Sequence, residues 1–225
     1  KFVVDKLGLD KIKELYEEEY AALGTKTYPA IELFAEGNPE VGGYQPNNQH
    51  DSDPEFTLWK NRNIEAQKQE GFNNVQIKLN LGDFTVPQAK ALADIAEKYA
   101  GKVLLCTVNQ NLMIPWVKED AFGAVFGELK NIGLHKAGTE EIRDITCCPG
   151  SETCNLGITA SRGLVEELNK QVDNGLEISK DLGHVSIKAS GCPNSCGQHH
   201  IASIGFHGGA KKLNGILTPH YEVLL

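Results

Sequence analysis

The chain has 225 residues, 40% of them hydrophobic, enough for one large globular unit or two small ones around a buried core. Its 22 basic residues against 30 acidic ones leave a formal net charge of -8, which argues against nucleic-acid binding because phosphate neutralisation needs a surplus of Lys and Arg. No apolar run approaches the roughly 20 residues that span a bilayer, and no charged-then-apolar leader opens the chain, so a soluble, cytoplasmic protein without a membrane partner is expected.

Residues 1–23 place Val4, Leu7, Leu9, Ile12, Leu15, Tyr16 and Leu23 mostly three or four apart, the spacing of an amphipathic helix. Glu17, Glu18 and Glu19 mark its outer face. The chain opens at Lys1 inside this pattern and Met113 is its only methionine, so the helix reads as the end of a preceding domain in a longer protein. Residues 24–72 are rich in Gly, Pro, Asn, Gln and Asp around YQPNNQHDSDP and read as a long connector.

From Asn74 the pattern sharpens. Val75, Ile77 and Leu79 alternate as a strand, and Thr85 lies three residues before Gln88 with Pro87 between them, which predicts a capped helix to Tyr99 with its stop at Gly101. The apolar runs KVLLCTV (102–108) and LMIPWV (112–117) are separated by Asn109, Gln110 and Asn111, where a tight turn fits. Another helix carries Phe122, Val125, Phe126 and Leu129 on one face and stops at Gly133. Strand, helix, strand, strand, helix is the order of a ferredoxin-like split unit, so the fold class is α+β with a ferredoxin-like half-domain at residues 73–136. Residues 137–225 form a second α+β domain, with a helix expected over 157–172 and the strand HVSIKAS leading into a second cysteine cluster.

Cys148 and Cys154 are separated by five residues, Cys192 and Cys196 by three, with 37 residues between the pairs. Clustered thiols without a secretion signal point to a metal. Four thiolates from two loops ligate either an iron-sulfur cluster or zinc. The five-residue gap exceeds the spacing usual in zinc ribbons and fingers, and it suits the corners of a larger centre. Cys154 is expected just before a helix and Cys192 at the end of a strand after Gly191, where backbone amides stabilise thiolate charge. Pro149, Gly150 and Pro193 stiffen the loops and bring amides close to the sulfurs. Cys147 reads as a small buried residue and Cys106, inside an apolar run, as core.

The stretches DITCCPGSETCNLGITASRG and IKASGCPNSCGQHHIASIGFHG resemble the paired cluster motifs of the sulfite and nitrite reductase haemoproteins, Cys-x5-Cys followed by Gly-Cys-Pro-Asn-x-Cys. LNLGDFT and TVNQNLMIPWV are similar to the ferredoxin-like element that precedes those motifs in the second half of such enzymes. The resemblance covers about Val75 to Gly209 and departs at Ser203, where the family's signature usually continues to an acidic residue. It implies that residues 137–225 bind sirohaem and a 4Fe-4S cluster, that Cys148, Cys154, Cys192 and Cys196 ligate the cluster, and that Cys196 also bridges to the sirohaem iron. It further implies six-electron reduction of sulfite to sulfide or nitrite to ammonia, with a ferredoxin or a flavoprotein as electron donor. In the family much of the Arg and Lys set that clasps the anion comes from the first half. No catalytic residue is therefore assigned in this chain, and the chain alone is expected to be inactive.

Gln110 and Asn111 either close a turn or, as the resemblance implies, contact the sirohaem or cluster. Arg143 and Arg162 suit either surface salt bridges or the carboxylates of sirohaem, which a guanidinium recognises with two parallel bonds. Asn194 is expected to hydrogen-bond its own loop, which the family packs against the cluster. His199 and His200 read as structural neighbours of a ligand set complete without them. A reading from another class is a non-catalytic interaction module in which the four cysteines hold zinc.

Overall fold

A computed structural model describes residues 2–24, 41–46, 50–173 and 184–225. The chain divides into two compact units, Lys1–Gly37 and Asn38–Leu225. The first holds helices α1 (Phe2–Leu7) and α2 (Leu9–Leu23), broken at Gly8, whose φ of 76° no helix accommodates. The apolar stripe read from the sequence is present, yet α2 buries none of its residues; Leu9, Tyr16, Tyr20 and Leu23 are all exposed.

The second unit contains ordered elements well before Asn74. Helix α3 (Pro54–Asn63) is capped by Asp53, whose carboxylate accepts from the Glu55 amide at 2.9 Å, with Pro54 in the first turn. Strand β1 (Ile64–Ala66) follows directly. The connector reading is thus corrected from Pro54 onward, whereas residues 25–40 and 47–49 of it lie outside the described residues. Polar composition hid α3 because the helix buries only Phe56, Trp59 and Asn63. Asn63 is polar and fully used: its amide donates to Gln76 O and Lys136 O and accepts from the Gly138 amide.

Strands β2 (Asn73–Ile77), β3 (Leu105–Cys106) and β4 (Leu112–Val117) join β1 in an antiparallel sheet of order β1-β2-β4-β3. β2 and β3 run the same way with β4 between them, as in a split β-α-β unit. Helix α4 (Val86–Tyr99) makes the crossover and starts on the capping box read from the sequence: Thr85 Oγ1 accepts from the Gln88 amide, and Gln88 Oε1 accepts from the Thr85 amide at 2.8 Å. Helix α5 (Phe122–Asn131) completes the layer. Trp59, Val75, Ile77, Leu92, Ile95, Ile114, Val125, Phe126 and Leu129 form one apolar core. The KVLLCTV run yields only the short β3, and Cys106 is exposed, not core. β3 ends the sheet and pairs with β4 through two residues, so its side chains lack a covering layer.

The cysteine-bearing half is built on β5 (Thr146–Cys147), helix α6 (Ser161–Asp173), β6 (Ile187–Ser190), β7 (Ile204–Leu213) and β8 (Ile216–Leu224). Its sheet runs β5-β6-β7-β8, parallel except for the closing β7–β8 hairpin. β6 has neighbours on both sides and is buried throughout. Leu81, Ile145, Cys147, Val165, Ile187 and Ala189 make a second, smaller core.

Candidate cofactor site

Parallel pairing of β5 with β6 sets Cys147 opposite Ala189. Loops leaving the carboxyl ends of neighbouring parallel strands lie side by side, and here those loops begin with Cys148 and with Gly191–Cys192. The Cys148 amide donates to Ala189 O at 3.1 Å, and the Gly191 amide donates to Cys148 Sγ at 3.1 Å. The Ile158 and Thr159 amides, from the far end of the first loop, both donate to Gly191 O. Such contact requires glycine: a Cβ on Gly191 would lie 2.7 Å from Gly150 Cα, and one on Gly197 only 2.0 Å from Ala189 O.

Cys148 and Cys192 are buried, whereas Cys154 and Cys196 are exposed. Among the described residues no group of three or more His, Cys, Asp or Glu side chains converges closely enough to hold a metal ion. What the fold supplies is the backbone cradle: two cysteine loops in contact, a buried thiol that already accepts an amide hydrogen bond, and glycines where side chains would separate them. The donor chemistry fits a thiolate-held cluster.

The amide on Cys148 comes from Gly191, across the loops, and not from the neighbours of Pro149 or Pro193. Cys154 closes a single 3-10 turn (Gly150–Glu152), with its amide on Gly150 O at 2.9 Å. Helix α6 begins only at Ser161, so Cys154 does not sit at its start. The residues between are held in turns by Gly157 N to Cys154 O and by the Gly191 contacts, which compete with the helical ladder expected from 157. Burial pushes the Cys147 thiol up to about 11, against the pull of the nearby Arg162 guanidinium. At neutral pH it stays protonated, as befits a core residue.

Gln110 takes a left-handed conformation (φ 63°) and clamps the Cys147 backbone from both sides, donating to its carbonyl at 2.7 Å and accepting from its amide at 3.3 Å. Asn111 is buried; its side chain accepts from the Leu79 amide at 2.9 Å and donates to Asp144 Oδ2 at 2.6 Å. Burial raises the Asp144 carboxyl, although the Glu140 amide and Asn111 oppose the rise. The two adjacent amides thereby lock the ferredoxin-like turn onto the first cysteine loop. Arg162 pairs with Asp83 and lies 3.7 Å from Glu152 Oε2. Arg143, by contrast, lines an open cavity of about 760 Å³ with Lys78, Lys136, Glu166 and Lys170, and makes no hydrogen bond or ion pair among the described residues. Asn194 is exposed and makes none of the expected loop bonds among the described residues. Ser203 exchanges two hydrogen bonds with Ser186, each through the amide of one and the hydroxyl of the other.

Lys188 escaped the sequence reading. It is 5% exposed within β6, and its Nζ donates to Asn109 Oδ1 at 2.7 Å and Gln198 Oε1 at 3.2 Å. A lysine between Ile187 and Ala189 in a short strand was the available signal.

The model of the nitrite/sulfite reductase ferredoxin-like half domain matches residues 65–132, and that of the nitrite and sulphite reductase 4Fe-4S domain matches residues 138–218, together about two thirds of the chain. The chain belongs to the sulfite and nitrite reductase haemoprotein family. The cofactors of that family, a 4Fe-4S cluster and sirohaem, are those of this domain. The assimilatory ferredoxin-dependent nitrite reductase of Haloferax mediterranei is 27% identical over 233 residues, covering 99% of this chain and 36% of its own length. A sulfite reductase [ferredoxin] of Mycolicibacterium paratuberculosis is 26% identical over 213 residues, covering 92% of this chain and 34% of its own length. The solved NirA protein of Mycobacterium tuberculosis has the same fold, with a TM-score of 0.58 at 23% identity over 99% of this chain and 37% of that one. The chain spans about a third of the length of these relatives. No helix among the described residues is long and apolar enough to cross a membrane.

Proposed function

We propose that the chain is the cluster-carrying segment of a six-electron reductase that converts sulfite to sulfide or nitrite to ammonia. The observation that carries this reading is the β5–β6 pairing, which brings the Cys148–Cys154 loop against the Cys192–Cys196 loop and places the Gly191 amide on Cys148 Sγ. Cys148, Cys154, Cys192 and Cys196 would hold the 4Fe-4S cluster, with Cys196 shared with the sirohaem iron. Once bound, these groups supply single-electron steps beside the oxyanion.

The chain's own residues position and tune. The Gly191 hydrogen bond stabilises negative charge on the Cys148 sulfur, which favours thiolate over thiol. Gln110 and the Asn111–Asp144 pair hold the first loop in register through its backbone, which supports a positioning role for both amides over direct cofactor contact. Arg143, without an ionic partner among the described residues, suits the carboxylates of sirohaem, whereas Arg162 is committed to Asp83. Asn194, exposed on the second loop, is free to pack on the cluster as the family implies.

The relatives' names mark them as ferredoxin-dependent, which favours ferredoxin over a flavoprotein as donor; both anions occur among their substrates. Much of the Arg and Lys set that clasps the anion is expected in the first half of such proteins, as the resemblance implies. Steady-state assays of the full-length holoprotein with sulfite and nitrite in parallel test the reading. Reduction of one or both is expected, with none from the 225-residue chain alone. Turnover by the chain alone would overturn the assignment of the anion clamp, and a colourless protein that reduces neither anion would favour the zinc-stabilised interaction module.

A further inference from the structure

Beyond the second cysteine loop, a single 3-10 turn (His199–Ile201) begins three residues after Cys196. His199 is only 1% exposed, and neither of its ring nitrogens has a partner among the described residues. Its ring centroid lies 4.1 Å from that of the exposed His200 and 5.0 Å from that of His207 on β7. His207 stands opposite Glu222 on β8, with Nε2 3.5 Å from Oε2; the other carboxylate oxygen is 3.5 Å from His220 Nε2. Gly209, opposite His220, leaves the space that ring fills, since a Cβ there would come within 3.1 Å of it. The Nδ1 atoms of His207 and His220 are also buried and unpartnered among the described residues.

Four buried ring nitrogens without partners are too costly to leave bare. The rings pack against each other at 4.1 and 5.0 Å and make no direct N–H···N bond, so the unpartnered nitrogens at their edges are the atoms that ordered water would satisfy. A metal is a poor occupant, because no three ligating side chains converge there among the described residues. Glu222, with a side chain 47% exposed, bridges His220 at 25% and His207 at 15%, and His207 packs on His199, a residue only 1% exposed, so the contacts run from solvent inward through Glu222 and His207 to His199.

We propose that Glu222, His220, His207 and His199 form a water-linked proton relay from the β7–β8 surface to the loop of Cys196. The proposal rests on the reductase reading. Conversion of nitrite to ammonium, or of sulfite to hydrogen sulfide, takes up six electrons and eight protons; the electrons come from the donor and the protons from solvent. In each transit an imidazole accepts a proton on one nitrogen and releases one from the other, so the relay gains and loses nothing. Burial, then the neighbouring His200 and His207, hold His199 below the ordinary imidazole range, so it stays neutral and passes protons without trapping them. Of the other charged groups on the packed elements, Glu222 from β8 faces His207 and His220, Lys188 from β6 is bonded to Asn109 and Gln198, and Lys211 and Lys212 lie exposed toward the far end of β7.

The test uses the full-length holoprotein with a reduced viologen as donor, so that partner docking is not measured. His207→Gln and Glu222→Gln should lower kcat about tenfold or more, raise its solvent deuterium isotope effect, and leave KM and the iron and sirohaem content per chain unchanged. Added imidazole should restore part of the rate to His207→Gln. His199→Gln should behave alike; should it fail to fold, the two more exposed variants carry the test. Unchanged kcat and isotope effect at full cofactor content would overturn the relay, as would a rate loss matched by lost cofactor with no isotope effect. A wild type that reduces neither anion would overturn the reductase reading itself, an outcome distinct from an active wild type with unaffected variants.

Discussion

The ferredoxin-like half buries Trp59, Tyr99, Phe126 and a dozen or more other apolar side chains in one continuous cluster, with the Phe126 ring tilted against both Phe56 and Trp59 at 5.2 Å from each. The cysteine-bearing half packs on a core of six small or aliphatic residues, one of which, Leu81, comes from the ferredoxin-like half, and its loops are joined by amide hydrogen bonds and glycine contacts. One half therefore draws its stability from its own apolar burial. The other resembles domains in which cofactor binding supplies folding free energy.

Breaking the first core should have the largest effect. Phe126→Ala is expected to destabilise the chain by roughly 3–5 kcal/mol, read from guanidinium unfolding, with amide exchange speeding up in residues 73–131 first. A smaller effect should come from the seam between the halves. Asn111→Ala leaves the Leu79 amide without its partner and the buried Asp144 carboxylate with only the Glu140 amide, a loss of about 1–3 kcal/mol; an unchanged unfolding midpoint would show that the clasp is dispensable.

The smallest effect is a pH dependence confined to the cysteine-bearing half. His199 is held below the ordinary imidazole value of about 6.5, so the unfolded chain binds a proton that the folded one refuses. Its contribution is fully present above about pH 6.5 and is lost as pH falls below it. Asp144, raised by burial, works in the opposite direction at lower pH. Comparing wild type with His199→Gln isolates the imidazole: the acid slope of the unfolding midpoint between pH 7 and 5 should shrink in the variant.

Legibility in the sequence followed the same division. α4, β4 and α5 were readable because a Thr85/Gln88 box, an apolar run and a regular stripe report directly on local structure. α3 was not, although Asp53–Pro54 is a helix-start signal, because only Phe56 and Trp59 contribute apolar burial and Asn63 is held by bonds to distant residues. In the second half the cysteine spacing was legible as chemistry. The Gly191 amide on Cys148, the start of α6 at Ser161, the clamp by Gln110 and the histidine cluster on β7 and β8 were not, since each depends on which segments the sheet makes neighbours.

The central claim is that Cys148, Cys154, Cys192 and Cys196 hold an iron-sulfur cluster coupled to sirohaem. Quantifying iron, acid-labile sulfide, zinc and extracted sirohaem in the full-length protein purified without oxygen, alongside a serine variant of each cysteine, tests it most directly. The expected result is five irons per chain, four of them in the cluster and one in sirohaem, with four labile sulfides and one extractable sirohaem; labile sulfide should fall to background in Cys148→Ser and Cys192→Ser and be unaltered in Cys147→Ser and Cys106→Ser. Zinc without labile sulfide, or full iron content in the Cys148→Ser and Cys192→Ser variants, would contradict it.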